Sequence, residues 1–334
     1  MRLFLLWMAA FMATLAVSVF PAARIGSVGM SLVEFGRILG GDDRTDPQLY
    51  QIVWSVRLPR ILISALVGGA LAVAGAVFQS LLRNPLAEPF VLGVSSGASF
   101  GAIASSLLLR AGWVSLAAMI YLRPSAAFLG ALATIAIVYS MAGARRGVGS
   151  NRLLLAGIVI SSFLYSMNIF LLTFLRQGDV QSVFFWIIGD LSQPAAGPWV
   201  VVAAVLCGFC LLLLRARELN LLAVSEQDAQ ALGVSVMPVQ RQIFLAASLM
   251  TGVVVSVSGS IGYVGLLVPH MVRLVVGTDH RLVLPACLLG GAIFTIIADT
   301  VARVLMSPLE LPVGVVTAVV GAPFFIYLLN RRSR

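Results

Sequence analysis

Ten long apolar runs constrain the fold of this chain more than any other feature of its sequence. A membrane-spanning helix needs about 20 mostly apolar residues, and hydrophobic residues make up 60% of the 334 residues while charged residues make up 10%. The pattern predicts one all-α polytopic membrane domain that covers residues 1–334, with about ten transmembrane helices. The predicted spans are Leu3–Phe20, Arg60–Leu82, Val91–Leu109, Pro124–Met141, Leu153–Leu175, Trp199–Leu214, Val239–Ser258, Ile261–Val276, Leu282–Leu305 and Val313–Leu329.

The positive charge of the chain is carried by arginine alone, since the 22 basic residues include no lysine. A phosphate-binding P-loop requires a lysine in the pattern G-x-x-x-x-G-K-[ST]. The chain therefore lacks a standard P-loop, and any ATP that drives its function must be bound by another subunit.

The distribution of arginine predicts an orientation in the membrane. If the N-terminus is inside and there are ten spans, more arginines fall on the inner side than on the outer side, as the positive-inside rule expects. Both termini are then cytoplasmic, residues 218–234 are cytoplasmic, and the loop of about residues 21–57 is periplasmic. That loop contains a predicted short helix, Leu32–Leu39, ended by Gly40 and Gly41, and then a polar stretch with Asp42, Asp43 and Asp46.

The segment Glu218–Val234, ELNLLAVSEQDAQALGV, is too polar to cross a bilayer but has the signals of a capped helix. Ser225 and Asp228 have the spacing of a capping box, and Glu226 adds negative charge to the same first turn. Gly233 supplies a residue that can take the left-handed conformation that ends a helix. The segment is either a docking surface for another protein or an ordinary interhelical loop.

Small residues predict close helix packing in the third span. Gly93, Gly97 and Gly101 form two overlapping G-x-x-x-G steps, which let another helix approach. A weaker echo relates two other spans: Gly75 precedes Pro85 by ten residues, as Gly259 precedes Pro269. Five spans separate the two pairs, so the echo predicts an inverted repeat, unless it is a chance similarity.

The residues that commonly bind metals or carry out catalysis form no recognisable cluster in the sequence. Cys207 and Cys210 lie inside an apolar span, where packing is the expected role. His270 and His280 have no carboxylate or thiol cluster near them in sequence. We expect no metal site, no catalytic site and no cofactor bound by this chain.

Five motifs resemble the permease subunits of type II ABC importers, the family that takes up ferric siderophores, haem or cobalamin. The motifs are RNPLAEPFVLGVSSGASFGA, RLLLAGI, LNLLAVSEQDAQALGV, GSIGYVGLLVPHMVRL and LPVGVVTAVVGAPFFIYLL, and they occur in this order between Arg83 and Leu329. The resemblance implies a homodimer of ten-span subunits in the bacterial inner membrane. Two cytoplasmic ATPase subunits, which bind ATP and Mg, would dock on one side and a periplasmic substrate-binding protein on the other.

The resemblance also implies roles for individual residues at the inner side. Asn84, Pro85 and Leu86, with Ser150 and Asn151, match the cytoplasmic gate, although their residue types also suit ordinary turns and helix caps. The residues that match the ATPase-coupling helices are Leu219, Leu221, Leu222, Ser225, Glu226, Asp228, Ala229, Leu232 and Gly233.

At the outer side, Arg57, Arg60 and Arg303 match arginines that pair with glutamates of the binding protein. Guanidinium groups suit carboxylates, but Asp299 precedes Arg303 by four residues and is a rival partner within the same helix. For Arg57 and Arg60 the alternative role is anchoring at the membrane interface.

The substrate is predicted to be an iron chelate. Arg176 is expected at the outer mouth of the pathway, where a cation suits an anionic ligand such as haem, suits a ferric siderophore equally, or simply anchors the helix at the interface. Haem is slightly favoured among these substrates. Cobalamin is the alternative within the same family. A secondary transporter is a more distant alternative, because its ion-coupling acid would have to be Asp299, which Arg303 neutralises.

Overall fold

The computed structural model describes residues 2–26, 28–41, 46–142, 150–192, 197–307 and 309–332. In these ranges the regular structure is helical, and every predicted span overlaps closely with one helix. The helices are α1 (Arg2–Arg24), α2 (Leu32–Gly40), α3 (Pro47–Gln51), α4 (Leu58–Leu81), α5 (Val94–Arg110), α6 (Met119–Met141), α7 (Ser150–Leu172), α8 (Gln177–Ile188), α9 (Pro198–Leu214), α10 (Ala216–Val224), α11 (Glu226–Ala231), α12 (Val236–Ser258), α13 (Val264–Val276), α14 (His280–Val304) and α15 (Val313–Arg332).

Among the described residues, six helical stretches are long and apolar enough to cross a membrane by themselves. They lie in α1, in α3 to α4 taken together, and in α6, α7, α12 and α14. A seventh span is formed if α9 and α10 are counted together, although the two helices meet at a bend of 59°. The predicted spans at α13 and α15 are shorter apolar helices.

Helix α4 lies at the centre of the bundle because its sequence is rich in small residues. Gly68 packs against the backbone of Gly291 in α14, and Gly75 packs against the backbone of Gly265 in α13. A Cβ at either glycine of α4 would collide with the facing carbonyl group. These contacts bring three helices close together, and most of α4 is buried.

The predicted packing role of the glycines in the third span is confirmed. Gly97 faces Gly130 and Gly101 faces Ala126, so α5 and α6 approach along their backbones. Gly93 precedes α5 with a φ of 81°, the left-handed region that favours glycine.

The two glycine–proline pairs that are similar in sequence do not occupy equivalent positions in the structure. Gly75 lies inside α4, whereas Gly259 follows the end of α12 with a φ of 65°. Pro85 lies in a turn, whereas Pro269 lies inside α13. These positions therefore give no evidence for an inverted repeat, and that part of the predicted architecture stays a prediction.

The outer loop contains the predicted short helix. Ser31 and Glu34 form a reciprocal capping box at the start of α2, and Gly41 ends it in the left-handed conformation. Asp42 and Asp43 lie outside the described residues, and Asp46 caps α3 by accepting from the Gln48 backbone N–H at 2.8 Å. A π-helical segment, Ile52–Arg57, joins α3 to α4.

Candidate functional site

The predicted capped segment is an α-helical corner made of α10 and α11. The Ser225 hydroxyl accepts from the backbone N–H groups of Gln227 at 3.1 Å and Asp228 at 3.3 Å, so Ser225 is the N-cap of α11. Gly233 follows α11 with a φ of 83°, as its sequence position predicted. The Ser225 backbone N–H bonds to the Leu221 carbonyl of α10, so half of the predicted capping box is present.

The nine residues predicted to belong to the ATPase-coupling helices include buried residues and residues that are at least partly exposed. Leu219, Leu222 and Ala229 are buried within the chain and hold the corner against the bundle. Their burial assigns these three residues to holding the corner in place, and the predicted ATPase-coupling role of the nine residues stays a prediction. Leu232, which is 64% exposed, and Asp228 are available to a partner, while Leu221, Ser225 and Glu226 are partly exposed and Gly233 is exposed. Val224 is 73% exposed and was not predicted.

The loop after α4 is a tight turn that carries the predicted gate residues. The Asn84 side-chain oxygen accepts from the Leu86 backbone N–H at 2.9 Å, which is the turn geometry that asparagine favours. Pro85 and Leu86 are exposed. Arg83 has a φ of 47°, a left-handed conformation that is strained for a residue other than glycine.

The other predicted gate residues lie at the start of α7. Asn151 is exposed on that helix, and the side chain of Ser150 lies outside the described part of the chain. Helix α7 touches the segment that follows the turn, because Gly157 packs against the backbone of Val91 and Leu92. The turn and α7 therefore belong to one region of the bundle.

An ion pair joins the turn to the helical corner. Nη2 of Arg83 lies 2.8 Å from Oε1 of Glu226, the first residue of α11. Glu226 was predicted to belong to the corner, whereas Arg83 has no predicted role of its own. The strained backbone of Arg83 is thus found where its side chain crosses to the predicted docking surface.

A cleft of about 610 Å³ lies between the turn, α10 and the start of α14. Its walls include Asn84 and Pro85 from the turn, Asn220 and Val224 from α10, and His280 from α14. The cleft places the predicted gate turn and the predicted docking helices next to each other. His280 contacts Asn220 and Ser80 in this wall, a relationship that the sequence spacing did not suggest.

Two acids near this region have shifted pKa values. Burial raises the pKa of Glu88, in the α4–α5 connection, to about 7, and the hydrogen bond from the Tyr263 backbone N–H offsets this only in part. Burial also acts to raise the pKa of Asp279, but hydrogen bonds from the Arg281 backbone N–H and from Asn220 outweigh it, so this pKa is below its usual value. Glu88 is therefore the acid whose charge changes near neutral pH.

Next to the start of α4, Arg57 is held by the backbone of its own chain, and its predicted docking role stays a prediction. It is 4% exposed, and its guanidinium group donates to three backbone carbonyls. Nη1 lies 3.0 Å from the Ala23 oxygen and 2.6 Å from the Arg24 oxygen, and Nη2 lies 2.5 Å from the Val28 oxygen. These bonds tie the last turn of α1 and the segment after it to the residue that precedes α4, and they occupy both Nη atoms of the guanidinium group.

The other two predicted docking arginines share the buried carboxylate of Asp299. Nε of Arg303 lies 3.1 Å from Oδ2, an ion pair whose geometry is too bent for a directed hydrogen bond, and Nη2 donates to the Ala22 carbonyl at 3.0 Å. Arg60 bonds Asp299 and also contacts Glu310 at 2.7 Å. Arg303 thus has the local partner, Asp299, that its sequence spacing suggested, and it is 4% exposed in this chain, while its predicted docking role stays a prediction.

Arg176 and the three cysteines of the chain complete the comparison with the sequence. Arg176 is exposed and immediately precedes α8, so its charge is free to meet solvent or a ligand. Cys207 and Cys210 are exposed on α9 and so do not pack into the core of this chain, whereas Cys287 is buried. An apolar helix surface in a membrane protein faces lipid or a partner as readily as the core, which the sequence could not distinguish.

The long apolar helices, the polar corner on the bundle and the adjoining cleft define a multi-pass helical permease. The FecCD transport family model matches residues 11–331, and the chain belongs to this family. It is therefore a transmembrane permease of a type II ABC importer, a transport subunit whose family works with ATPase subunits and a binding protein. The family also implies a multi-pass protein of the bacterial inner membrane.

Three relatives illustrate the similarity. The cobalamin import system permease protein BtuC of Halobacterium salinarum is 43% identical over 289 residues, which cover 84% of this chain and 74% of that protein. The hemin transport system permease protein HmuU of Yersinia pestis is 37% identical over 311 residues, 92% of each chain. The permease YvrB of Bacillus subtilis is 40% identical over 305 residues, 90% of this chain and 84% of that protein.

A solved structure described as an inward-facing conformation of a metal-chelate type ABC transporter has the same fold. The TM-score is 0.83 at 30% identity, and the match covers 97% of this chain and 98% of that chain.

Proposed function

We propose that this permease imports a metal-centred tetrapyrrole, haem or cobalamin, handed over by a periplasmic binding protein. The support is that relatives named for these two substrates match along most of the chain, at 37% and 43% identity. A ferric siderophore is the third candidate, from the resemblance alone. Exposed Arg176 favours haem, since its cation suits the propionates of an anionic porphyrin.

The substrate is tested by its absorption spectrum. The purified permease, in a complex with its ATPase and binding protein, is placed in proteoliposomes and offered haem, cyanocobalamin or a ferric siderophore. Uptake of haem or cobalamin in the presence of ATP supports the proposal, and selective uptake of the siderophore contradicts it. Arg176→Gln is expected to lower uptake of haem more than that of cobalamin, with Arg110→Gln, at another exposed arginine, as the matched control.

The corner formed by α10 and α11 is the proposed docking surface for the ATPase. It projects exposed apolar groups, Val224 and Leu232, beside the charged side chain of Asp228. Its buried residues fix it to the bundle, so a push on the exposed face is passed on as a rigid-body movement. With both termini cytoplasmic, this surface faces the compartment that contains ATP.

The proposed assembly is a homodimer, with the pathway between the two copies. Helix α7 supports this arrangement, because it is apolar and mostly exposed in one copy: Phe163, Tyr165 and Phe170 are each more than half exposed. The turn at Asn84, Pro85 and Leu86, with Ser150 and Asn151, is then the proposed inner gate.

The gate and the dimer are tested together by disulfide crosslinking. Leu86→Cys and Ser150→Cys are expected to crosslink to the second copy in one nucleotide state more than in another. Trp113→Cys, at an exposed residue beyond the other end of α5, is the control. Equal crosslinking in all nucleotide states removes these residues from the gate.

The binding protein is proposed to dock at the outer end without direct use of Arg57 or Arg303. Of the three predicted arginines, Arg60 has a partly exposed partner, Glu310, at 34% side-chain exposure. This pair is the proposed edge of the docking surface. Glu310→Arg is expected to weaken association with the binding protein, and unchanged affinity across a salt series contradicts this assignment.

A further inference from the structure

We infer that Asn220, His280 and Ser80 form a hydrogen-bonded relay, buried at His280 and Ser80, that transmits movement of the docking helices to the core helices α4 and α14. The inference rests on the proposed function of α10 and α11 as the ATPase surface. Asn220 belongs to α10, His280 begins α14, and Ser80 lies in the last turn of α4. The relay is therefore a direct polar connection between a docking helix and two membrane-spanning helices.

The distances define a continuous chain of contacts. Nδ2 of Asn220 donates to Oδ1 of Asp279 at 2.7 Å, and Oδ1 of Asn220 lies 2.6 Å from Nδ1 of His280. The backbone N–H of His280 donates to the same Asn220 oxygen at 2.9 Å. On the other side of the ring, Nε2 of His280 lies 2.6 Å from the Ser80 hydroxyl.

The direction of each bond follows from the chemistry of the groups. The Asp279 carboxylate accepts hydrogen bonds, so it fixes the Asn220 amide with NH₂ toward Asp279 and the oxygen toward His280. The Nδ1 of His280 must then carry a proton, and in the neutral ring Nε2 is an acceptor. Ser80 consequently donates to Nε2, and the Ala76 carbonyl at 3.0 Å competes for the same hydroxyl proton.

The relay is expected to be stiffer than the Arg83–Glu226 ion pair, which also links the docking helices to the end of α4, because the bond between His280 and Ser80 is buried. His280 is 3% and Ser80 is 8% exposed, so water does not compete easily for their bond. The Arg83–Glu226 pair is open to solvent on both sides, and exposed ion pairs contribute little. The buried contacts of Leu219 and Leu222 hold α10 in place but lack the fixed direction of hydrogen bonds.

Asp279 extends the relay to the start of α14. Its carboxylate also accepts from the Arg281 backbone N–H at 3.0 Å and so is the N-cap of α14. A shift of α10 away from α14 must break the bond to this cap and both bonds to His280. A shift that moves α4, α10 and α14 together keeps all these hydrogen bonds. The relay therefore favours joint movement of the three helices.

The test compares two buried serines. Ser80→Ala removes the donor to His280, while Ser106→Ala removes a buried hydroxyl whose bond, to the Ala102 carbonyl at 3.1 Å, stays within α5. In proteoliposomes with the ATPase and binding protein, Ser80→Ala is expected to lower the substrate transported per ATP at least twofold. Ser106→Ala is expected to leave this ratio unchanged, and Ser80→Thr, which keeps the hydroxyl, to restore it.

A second variant and a spectroscopic readout guard against a folding defect. Asn220→Ala, at a partly exposed position, is expected to lower the same ratio. Since the chain has two histidines, ¹⁵N resonances of labelled histidine can be assigned with His270→Gln. The Nε2 resonance of His280 is expected to shift in Ser80→Ala and not in Ser106→Ala.

Two outcomes would overturn the inference in different ways. If the wild-type permease does not bind the ATPase, the proposed function fails and the relay fails with it. If ATPase binding is normal but Ser80→Ala and Asn220→Ala transport as much substrate per ATP as Ser106→Ala, the relay alone is wrong.

Discussion

The Arg60 guanidinium holds the Asp299 carboxylate through two nitrogens, Nε at 3.0 Å and Nη2 at 2.9 Å, although the residues are 239 positions apart. The bond closes the outer ends of α4 and α14 against each other. Arg303 contributes a second positive charge to the same carboxylate. One buried acid thus neutralises part of two buried cations.

Asp299→Asn is expected to destabilise the protein, because it leaves the Arg60 and Arg303 charges without their shared partner. Breaking a buried pair in this way costs about 3–5 kcal/mol. Glu310→Gln is the matched control. Glu310 is more exposed than Asp299, and of the two arginines it forms an ion pair with Arg60 and not with Arg303. Thermal unfolding in detergent measures both variants, and equal loss of stability would show that the buried acid has no special role.

The Arg83–Glu226 ion pair is expected to contribute to coupling between the turn and α11 more than to stability. Arg83→Glu and Glu226→Arg each place like charges together at a distance of about 3 Å in the native geometry, which should reduce transport per ATP. The double variant restores an opposite pair and should recover part of the loss. If the double variant is no better than the worse single variant, the two residues do not act through this contact.

Ala229→Pro is expected to prevent ATPase docking or to uncouple ATP hydrolysis from uptake. The Ala229 backbone N–H donates to the Ser225 carbonyl at 3.1 Å, and proline removes this bond and costs about 3 kcal/mol. Gln230→Ala, next to it on the exposed side of α11, is the control. Normal assembly and transport by Ala229→Pro in vesicles would count against the docking surface.

Glu88 is expected to make stability depend on pH between about 4.5 and 7. Its pKa is raised in the folded protein from 4.5 to about 7, so the folded state binds this proton more tightly than the unfolded state. Stability from this group is complete below pH 4.5, falls as the pH rises toward 7 and is lost above it. The loss is at most about 3.5 kcal/mol, at about 1.4 kcal/mol per pKa unit.

Unfolding midpoints of the wild type and Glu88→Gln, compared from pH 5 to pH 8, measure this effect. As the pH rises across this range, the unfolding midpoint of the wild type should fall relative to that of Glu88→Gln. A constant difference between wild type and Glu88→Gln would place the titration elsewhere.

Two glycines are expected to respond in opposite directions to alanine. Gly75→Ala puts a methyl group against the Gly265 backbone and should destabilise the contact between α4 and α13 by about 1–3 kcal/mol. Gly36 lies in α2 with open space around it, so Gly36→Ala should be neutral or stabilise by up to about 1 kcal/mol. Unfolding midpoints in detergent that fall equally would contradict the packing role of Gly75.

The spans and the capped corner could be predicted because their causes are local. Apolar length places the helices, and Ser225 and Gly233 have the residue types that their cap positions require. The roles of Arg57 and His280 could not be predicted, because their partners lie 29 to 34 and 60 to 200 residues away in the chain. Arg57 has the same sequence character whether its guanidinium group meets a partner protein or its own backbone.

Helices α9 and α10 meet at Arg215 at an angle of 59°, so a rotation about this residue moves both helices together. Arg215 fixes the pivot, since its guanidinium group bonds Glu218 and Gln242, each at 2.9 Å, and Gln242 belongs to α12. The nine residues of α10 form an arm about 13 Å long, at 1.5 Å per residue. A rotation of about 10° around Arg215 then moves the far end of α10 by roughly 2 Å, so a small change in the tilt of α9 becomes a displacement of ångström size at the end of α10.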